Sequence, residues 1–321
     1  MKWDVLGFGA VTVDDLIYVD HYPLPDTKLP IQRQQREGGG LAGTALVAAA
    51  RLGAKSAYCG VLGDDELSRF TIQELAREGV DCAPCLRRAG ARPIHSIVIV
   101  DQSTAQRVVL YSRAGVIPFP LEEITDELIA NCRVLFVDHT AIEAGLRAAE
   151  LAHAHGIPVV ADVEKETEPR VFDLMRRIDH LIVGVGLAGR VTGERELSAM
   201  ARTLSDRACC VVTAGEQGCW YSERGGEVQH IPALKVQVVD TTGCGDVFHG
   251  AYAACLARGE SVRMAVEVAT VAAGIKATQP GGRSGIPNRE TVDRVLKERA
   301  NTPPDPVKNS GAGEGDRVAP T

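Results

Sequence analysis

The stretch Asp240-Thr-Thr-Gly-Cys-Gly-Asp-Val-Phe-His-Gly250 places glycines and carboxylates at a spacing that suits phosphoryl chemistry. Before it, Leu234-Lys-Val-Gln-Val-Val239 alternates in the manner of a short strand. After it, Val247, Ala251, Ala254 and Cys255 recur at the spacing of one helical face. The expected unit is strand, glycine turn, helix. Gly243 and Gly245 allow dihedrals and close approaches that a Cβ forbids. The first helical turn leaves N–H groups unpartnered and the helix dipole adds partial positive charge, so phosphate is the natural ligand. Asp246 is a carboxylate where a negative charge should bind. It repels phosphate unless it takes a proton from a hydroxyl attacking that phosphate. The plainer reading is a helix capped by Thr242 or Asp246 after an ordinary turn.

Other stretches could serve the same chemistry. Val5 to Val11 reads as a buried strand, and Asp14 and Asp15 follow at its expected carboxyl end, where open α/β sheets bind ligands. Two adjacent acids are either a solvated pair or, for Asp14, a carboxylate that accepts two sugar hydroxyls. Gly38-Gly39-Gly40 leads into a helix of very small residues ending at Arg51-Leu-Gly53, which suits close approach by a ligand or by another backbone. Segments 16–37, with Pro23, Pro25 and Pro30, and 92–112, with a turn near Gln102-Ser103, read as strands of a small separate sheet. Lys28, His95 and Arg107 belong to it, as solvated residues or as ones that reach a ligand.

Strand–helix alternation positions these residues. Val134–Val137, Ile157–Ala161, His180–Val183 and Cys209–Thr213 are short apolar runs, separated by helical segments such as 141–155. They predict a parallel sheet covered on both faces, with polar or glycine residues at its ligand-facing edge. A helix over about 65–78 is expected to bury Leu67, Phe70, Leu75 and Ala76. Two more follow over 262–278 and 288–299.

The 321 residues are 45% apolar, ample for one large domain over 1–299, and residues 300–321 read as a disordered tail rich in Pro, Gly and charge. A net charge of −7 without a basic cluster argues against nucleic acid. No signal-peptide layout or bilayer-length apolar run is visible, which points to a cytoplasmic protein off the membrane. Nine scattered cysteines fit reduced thiols, and Cys82-Ala-Pro-Cys85 lacks a second ligand pair for zinc.

Asp240 to Asp246 resembles the second signature of the PfkB/ribokinase family of sugar kinases, Asp-Thr-x-Gly-Ala-Gly-Asp, with Cys244 at the usual Ala. Gly39, Gly40 and Ala45 match the first signature, Gly-Gly-x-x-x-Asn-x-Ala, except that Thr44 stands at the Asn. Gly9 to Asp14 matches the family's Gly-x-x-x-x-Asp, Gly63-Asp-Asp65 its Gly-x-x-Gly-x-Asp segment with Ser68 at a frequent Gly, and Val212 to Gly218 its Val-Thr-x-Gly-x-x-Gly. The likeness spans roughly 4–299 and implies a Rossmann-like α/β fold, a mostly parallel sheet with helices on both faces, plus a small β-sheet lid. It implies ATP and Mg²⁺, and a monovalent cation such as K⁺ through the loop 279–287. Asp246 is then the base, with Gly243, Cys244 and Gly245 supplying the anion hole. Asp14, Gly39, Gly40 and Thr44 hold the sugar, and Thr213, Gly215, Gly218, Thr242 and Gly282 the nucleotide.

One departure bears on the metal. Gly184 and Leu187 fall where the family often has Asn-x-x-Glu, and neither side chain ligates. Mg²⁺ is then left to the nucleotide phosphates and water, with Asp162 or Glu164 as helpers. The reading is a kinase of a hydroxymethyl group on a sugar or sugar-like molecule, paired as a homodimer through its lid. Ketose and sulfofructose kinases are the nearest subgroup in motif. The alternatives are a nucleoside kinase or a ligand-binding pseudokinase. A dehydrogenase fails, because no third glycine follows Gly7-Phe-Gly9 in the required place.

Overall fold

A computed structural model describes residues 1–301 apart from 105 and 167. The tail expected from residue 300 therefore lies almost wholly outside the described residues. The main sheet has eight strands. In spatial order they are Gln229–Ile231, Cys219–Ser222, Cys209–Thr213, His180–Gly184, Val159–Asp162, Cys132–Asp138, Trp3–Phe8 and Ser56–Cys59. The first two pair antiparallel and the rest parallel. The central runs are apolar on both sides because both faces are covered. Helices Leu41–Arg51, Cys244–Ala257 and Val262–Lys276 pack on one face, and Ile142–Ala154, Val185–Thr192 and Leu197–Leu204 on the other. The chain reverses its direction across the sheet between Trp3–Phe8 and Cys132–Asp138. That is the crevice where open α/β sheets bind ligands.

A second sheet stands apart, in the order Arg33–Gly39, Thr12–Val19, Ile94–Asp101, Arg107–Ser112. It is the small sheet expected from the sequence, but it begins at Thr12. Asp14 and Asp15 consequently lie inside its second strand and not at the end of the first core strand. The period-2 side-chain alternation then sends them to opposite faces.

Two local expectations fail. Residues 232–238 form no strand. Val238 and Val239 are 57% and 58% exposed, and the N–H groups of Val239 and Asp240 donate to the Ala277 carbonyl past the end of a helix. The alternation had no neighbouring strand to pair with. The helix Glu66–Arg77 buries Leu67, Ser68, Thr71 and Leu75, while Ala76 faces solvent.

Candidate active site

The helix Cys244–Ala257 begins after Gly243, whose φ of +75° is left-handed and favours glycine. A Cβ there would also meet the Gly282 carbonyl at 2.6 Å. Asp240 holds the turn from behind. Its Oδ1 accepts from Thr242 N at 2.8 Å and Thr242 Oγ1 at 2.6 Å, and its Oδ2 from Gly281 N at 2.9 Å. Deeper in the helix, a Cβ at Gly250 would lie 2.0 Å from the Ala45 carbonyl, so the two signature helices touch backbone to backbone. His249 packs below with its ring nitrogens against the carbonyls of Gly245 and Ile182, at 2.7 and 3.1 Å.

Asp246 projects from the first turn of this helix. Burial, then the carboxylates of Asp162, Glu164 and Asp138, push its pKa well above the ordinary carboxylate value. Asp162 is itself buried and raised in the same way, first by burial and then by Glu164. Asp138 is fully buried and is the post on which the crevice is hung. Its Oδ2 accepts from the N–H groups of Ala10 and Ala42, at 2.7 and 3.2 Å, and its Oδ1 from Thr140. One carboxylate thus ties the start of the lid to the start of the first signature helix.

Across the crevice, Asp14 Oδ2 accepts from Thr12 Oγ1 at 3.0 Å, and a Cβ on Gly39 would sit 2.4 Å from that carboxylate. Burial raises the Asp14 pKa, while bonds from Ser96 and Thr12 and the charge of Arg283 oppose the rise. Asp15, on the other face, is held below the usual carboxylate range by Arg36, which bonds both of its oxygens, with help from His95 at 2.8 Å. His95 thus serves Asp15, and Arg107 Nη1 lies 3.4 Å from Asp240. Gly40, at φ +88°, begins the helix Leu41–Arg51, and Thr44 is buried one turn on.

Arg283 was not picked out from the sequence. Its Nη2 donates to the Gly39 carbonyl at 2.7 Å and its Nε to Thr44 Oγ1 at 3.3 Å. Cβ atoms on Gly38 or Gly43 would each come within 2.5 Å of its guanidinium. Small residues in the first signature make room for an arginine that reaches in 239 residues further along the chain. Burial pulls its pKa down to about 10, against the charges of Asp246 and Asp14, so it stays a cation.

On the nucleotide side, Thr213 ends its strand with Oγ1 3.4 Å from the Val183 carbonyl, and Gly215 is exposed. Gly218 serves the turn: its φ is +89° and a Cβ would lie 2.1 Å from the Ile231 carbonyl. Gly282 touches Gly243 and donates to Glu37 of the lid. Gly184 is exposed at a strand end and Leu187 is buried in the core. A cavity of about 290 Å³ opens at the same end of the sheet, between the lid and the core, and its lining includes Phe8, Ala10, Tyr58, Arg92 and Thr140.

A family model described as "pfkB family carbohydrate kinase" matches residues 4–289. The chain belongs to that family. It is 25% identical over 303 residues to the ribokinase of Staphylococcus aureus, covering 91% of this chain and 99% of that one. A crystal structure of a ribokinase-like protein from Agrobacterium tumefaciens superposes with TM-score 0.85 at 28% identity, over 94% of this chain and 100% of that one. The Arabidopsis thaliana ribokinase, solved with ribose and ATP, superposes at TM-score 0.80 and 20% identity over 92% and 99%, a likeness of fold. This family member has the ribokinase-like α/β fold with its small separate sheet, and it is a phosphotransferase with an alcohol group as acceptor, a sugar or nucleoside kinase. No helix among the described residues is long and apolar enough to cross a membrane.

Proposed function

We propose that the protein uses ATP to phosphorylate a hydroxymethyl group of a sugar or sugar-like small molecule. One observation carries this reading: Asp246 stands in the first turn of the helix Cys244–Ala257, in the electrostatic field of Arg283, which also interacts with Asp14 and bonds the Gly39 carbonyl. Asp14 accepts hydroxyls of the sugar, and the Gly39–Gly40 backbone lets the sugar approach closely. Thr44 acts through Arg283, whose Nε donates to its hydroxyl. Asp246 takes the proton of the attacking hydroxyl. The amides of Gly243, Cys244 and Gly245 then stabilise charge on the phosphoryl group in transit. Cys244 turns its Sγ away to the Ala273 carbonyl at 3.5 Å, and its N–H, which donates to the Thr241 carbonyl at 3.2 Å, would turn from that bond to the phosphoryl group. The nucleotide lies along Thr213, Gly215 and Thr242, with Gly282 at its base, while Gly218 keeps that loop in shape.

No group of three or more acidic, His or Cys side chains among the described residues could hold a metal ion by itself, so a magnesium ion would ride on the nucleotide phosphates with Asp162 and Glu164 as helpers. Glu164 is exposed beside buried Asp162, and their mutual repulsion with Asp246 is what a divalent cation relieves. Bound there, Mg²⁺ would neutralise phosphate charge. The decisive experiment is ADP release across ketoses, aldoses, sulfosugars, sugar acids and nucleosides, with Asp246→Asn beside the wild type. Turnover on one class that is lost in the variant supports the reading. Turnover confined to nucleosides would replace it.

We also propose that two copies pair through the lid. The strand Arg107–Ser112 is one edge of the sheet and is exposed throughout, with Val109 at 49% and Tyr111 at 69%. Such an edge is a template for a second strand. A dimer in sedimentation that Val109→Lys dissociates is expected, and a monomeric wild type removes the idea.

A further inference from the structure

Lys276 ends the helix Val262–Lys276 and is completely buried. Its Nζ donates to the Asp240 carbonyl at 2.8 Å. No carboxylate among the described residues lies within ion-pair distance of it. A buried ammonium without a paired carboxylate costs several kcal/mol of desolvation. Its place offsets part of that cost. The ammonium sits at the negative end of its own helix dipole and in the field of Asp240 and Glu37. It is also close behind the phosphoryl site, since Cys244 of the glycine turn bonds the Ala273 carbonyl of the same helix.

The neighbouring oxygens decide what else can bind. A monovalent cation at the junction of the glycine turn and the loop 279–287 would need several oxygen ligands. The Asp240 carbonyl is taken by Lys276 itself. Both Asp240 carboxylate oxygens are taken by Thr242 and Gly281. The Lys276 carbonyl accepts from Gln279 N. A second cation sharing the Asp240 carbonyl would stand against the Lys276 ammonium, a like charge on the same oxygen. The K⁺ that the family resemblance implies does not fit this junction.

We propose that Lys276 is the internal cation of the phosphoryl-transfer site, doing there what an external monovalent cation would do. It fixes the Asp240 end of the turn and places a permanent positive charge behind the anion hole, so the enzyme works without K⁺. This rests on the kinase reading above, and the test separates the two. The full-length protein is prepared in tetramethylammonium chloride, and ADP release and thermal melting are followed as KCl is added. Wild-type turnover and melting temperature should not respond. Lys276→Met should lose at least about tenfold in turnover and regain it with K⁺ or NH₄⁺, with K⁺ raising the melting temperature of the variant alone. A wild type that is activated or stabilised by K⁺ overturns the proposal, and so does a folded Lys276→Met that works equally well without it. If the variant does not fold, the wild-type titration decides. If the wild type turns over none of the acceptors named above, the proposed reaction fails, and melting with K⁺ still tells whether the junction takes a cation.

Discussion

The two ends of the cleft are built on different terms. The phosphoryl end is made of backbone: a left-handed glycine, helix N–H groups, a turn pinned by Asp240, and helices in contact at Gly250. The acceptor end hangs from a four-stranded lid and is held by side chains, Thr12 with Asp14 and Arg283 with the Gly39 carbonyl and Thr44. The first arrangement has little freedom to vary at Gly243 and Gly250, where a Cβ would meet backbone. The second can exchange side chains while the strands stay paired. Chemistry and stability should therefore be carried at one end and selectivity at the other.

The largest effect expected from that division is at Asp246. Asp246→Asn should cost about 10² to 10⁴ in kcat, the range of general-base catalysis, with acceptor KM nearly unchanged. A large rise in KM with kcat intact would move Asp246 to the acceptor end and dissolve the comparison. At the other end, Arg283→Gln removes two hydrogen bonds from a charged donor, each worth about 1.5–3 kcal/mol. Steady-state kinetics should show acceptor KM rising at least about tenfold with kcat less affected. A loss in kcat alone would show that Arg283 serves Asp246 and not the acceptor.

Stability offers a third cut. Gly250→Ala puts a Cβ against the Ala45 carbonyl and should cost about 1–3 kcal/mol or more in denaturant unfolding, because two helices must part. Val109→Lys on the exposed lid edge should leave the unfolding of a monomer almost unchanged. Equal costs at both places would show that the lid and core are one cooperative unit.

The same division explains what could be read from the sequence. The glycine turn is legible because its requirements are local: a positive φ at Gly243 and a second glycine, Gly245, in the first turn of the helix. The parallel sheet is legible because its strands are continuously apolar. Arg283, Lys276 and Asp138 gave no such signal, since their partners lie 239, 36 and 128 residues away. A cue did exist for Asp138, a lone acid closing an apolar run at the sheet's ligand-facing edge. Alternation over 234–239 suggested a strand, but periodicity says nothing about whether a neighbouring strand is present to pair with it.

The subtlest expected effect concerns protons at the phosphoryl end. Burial and three neighbouring carboxylates raise the Asp246 pKa in the folded protein above its unfolded value. Between those two values the folded state binds the extra proton, so stability falls as pH rises through that window and stays low above it. The base must be ionised to work, so activity rises over the same window. Catalysis and stability should therefore run in opposite directions with pH. Asp246→Asn has no charge to desolvate and should be more stable than the wild type at neutral pH, by an amount that shrinks to nothing as pH falls toward the ordinary carboxylate range. Asp162→Asn removes one source of the repulsion and should move the acid limb of kcat/KM to lower pH. Denaturant melts of both proteins across the acid range, beside a pH–rate profile, check the pair of effects. A stability gap that grows as pH falls would mean that the carboxylate is stabilised by its surroundings, and that the acidic cluster is not the strained element of this site.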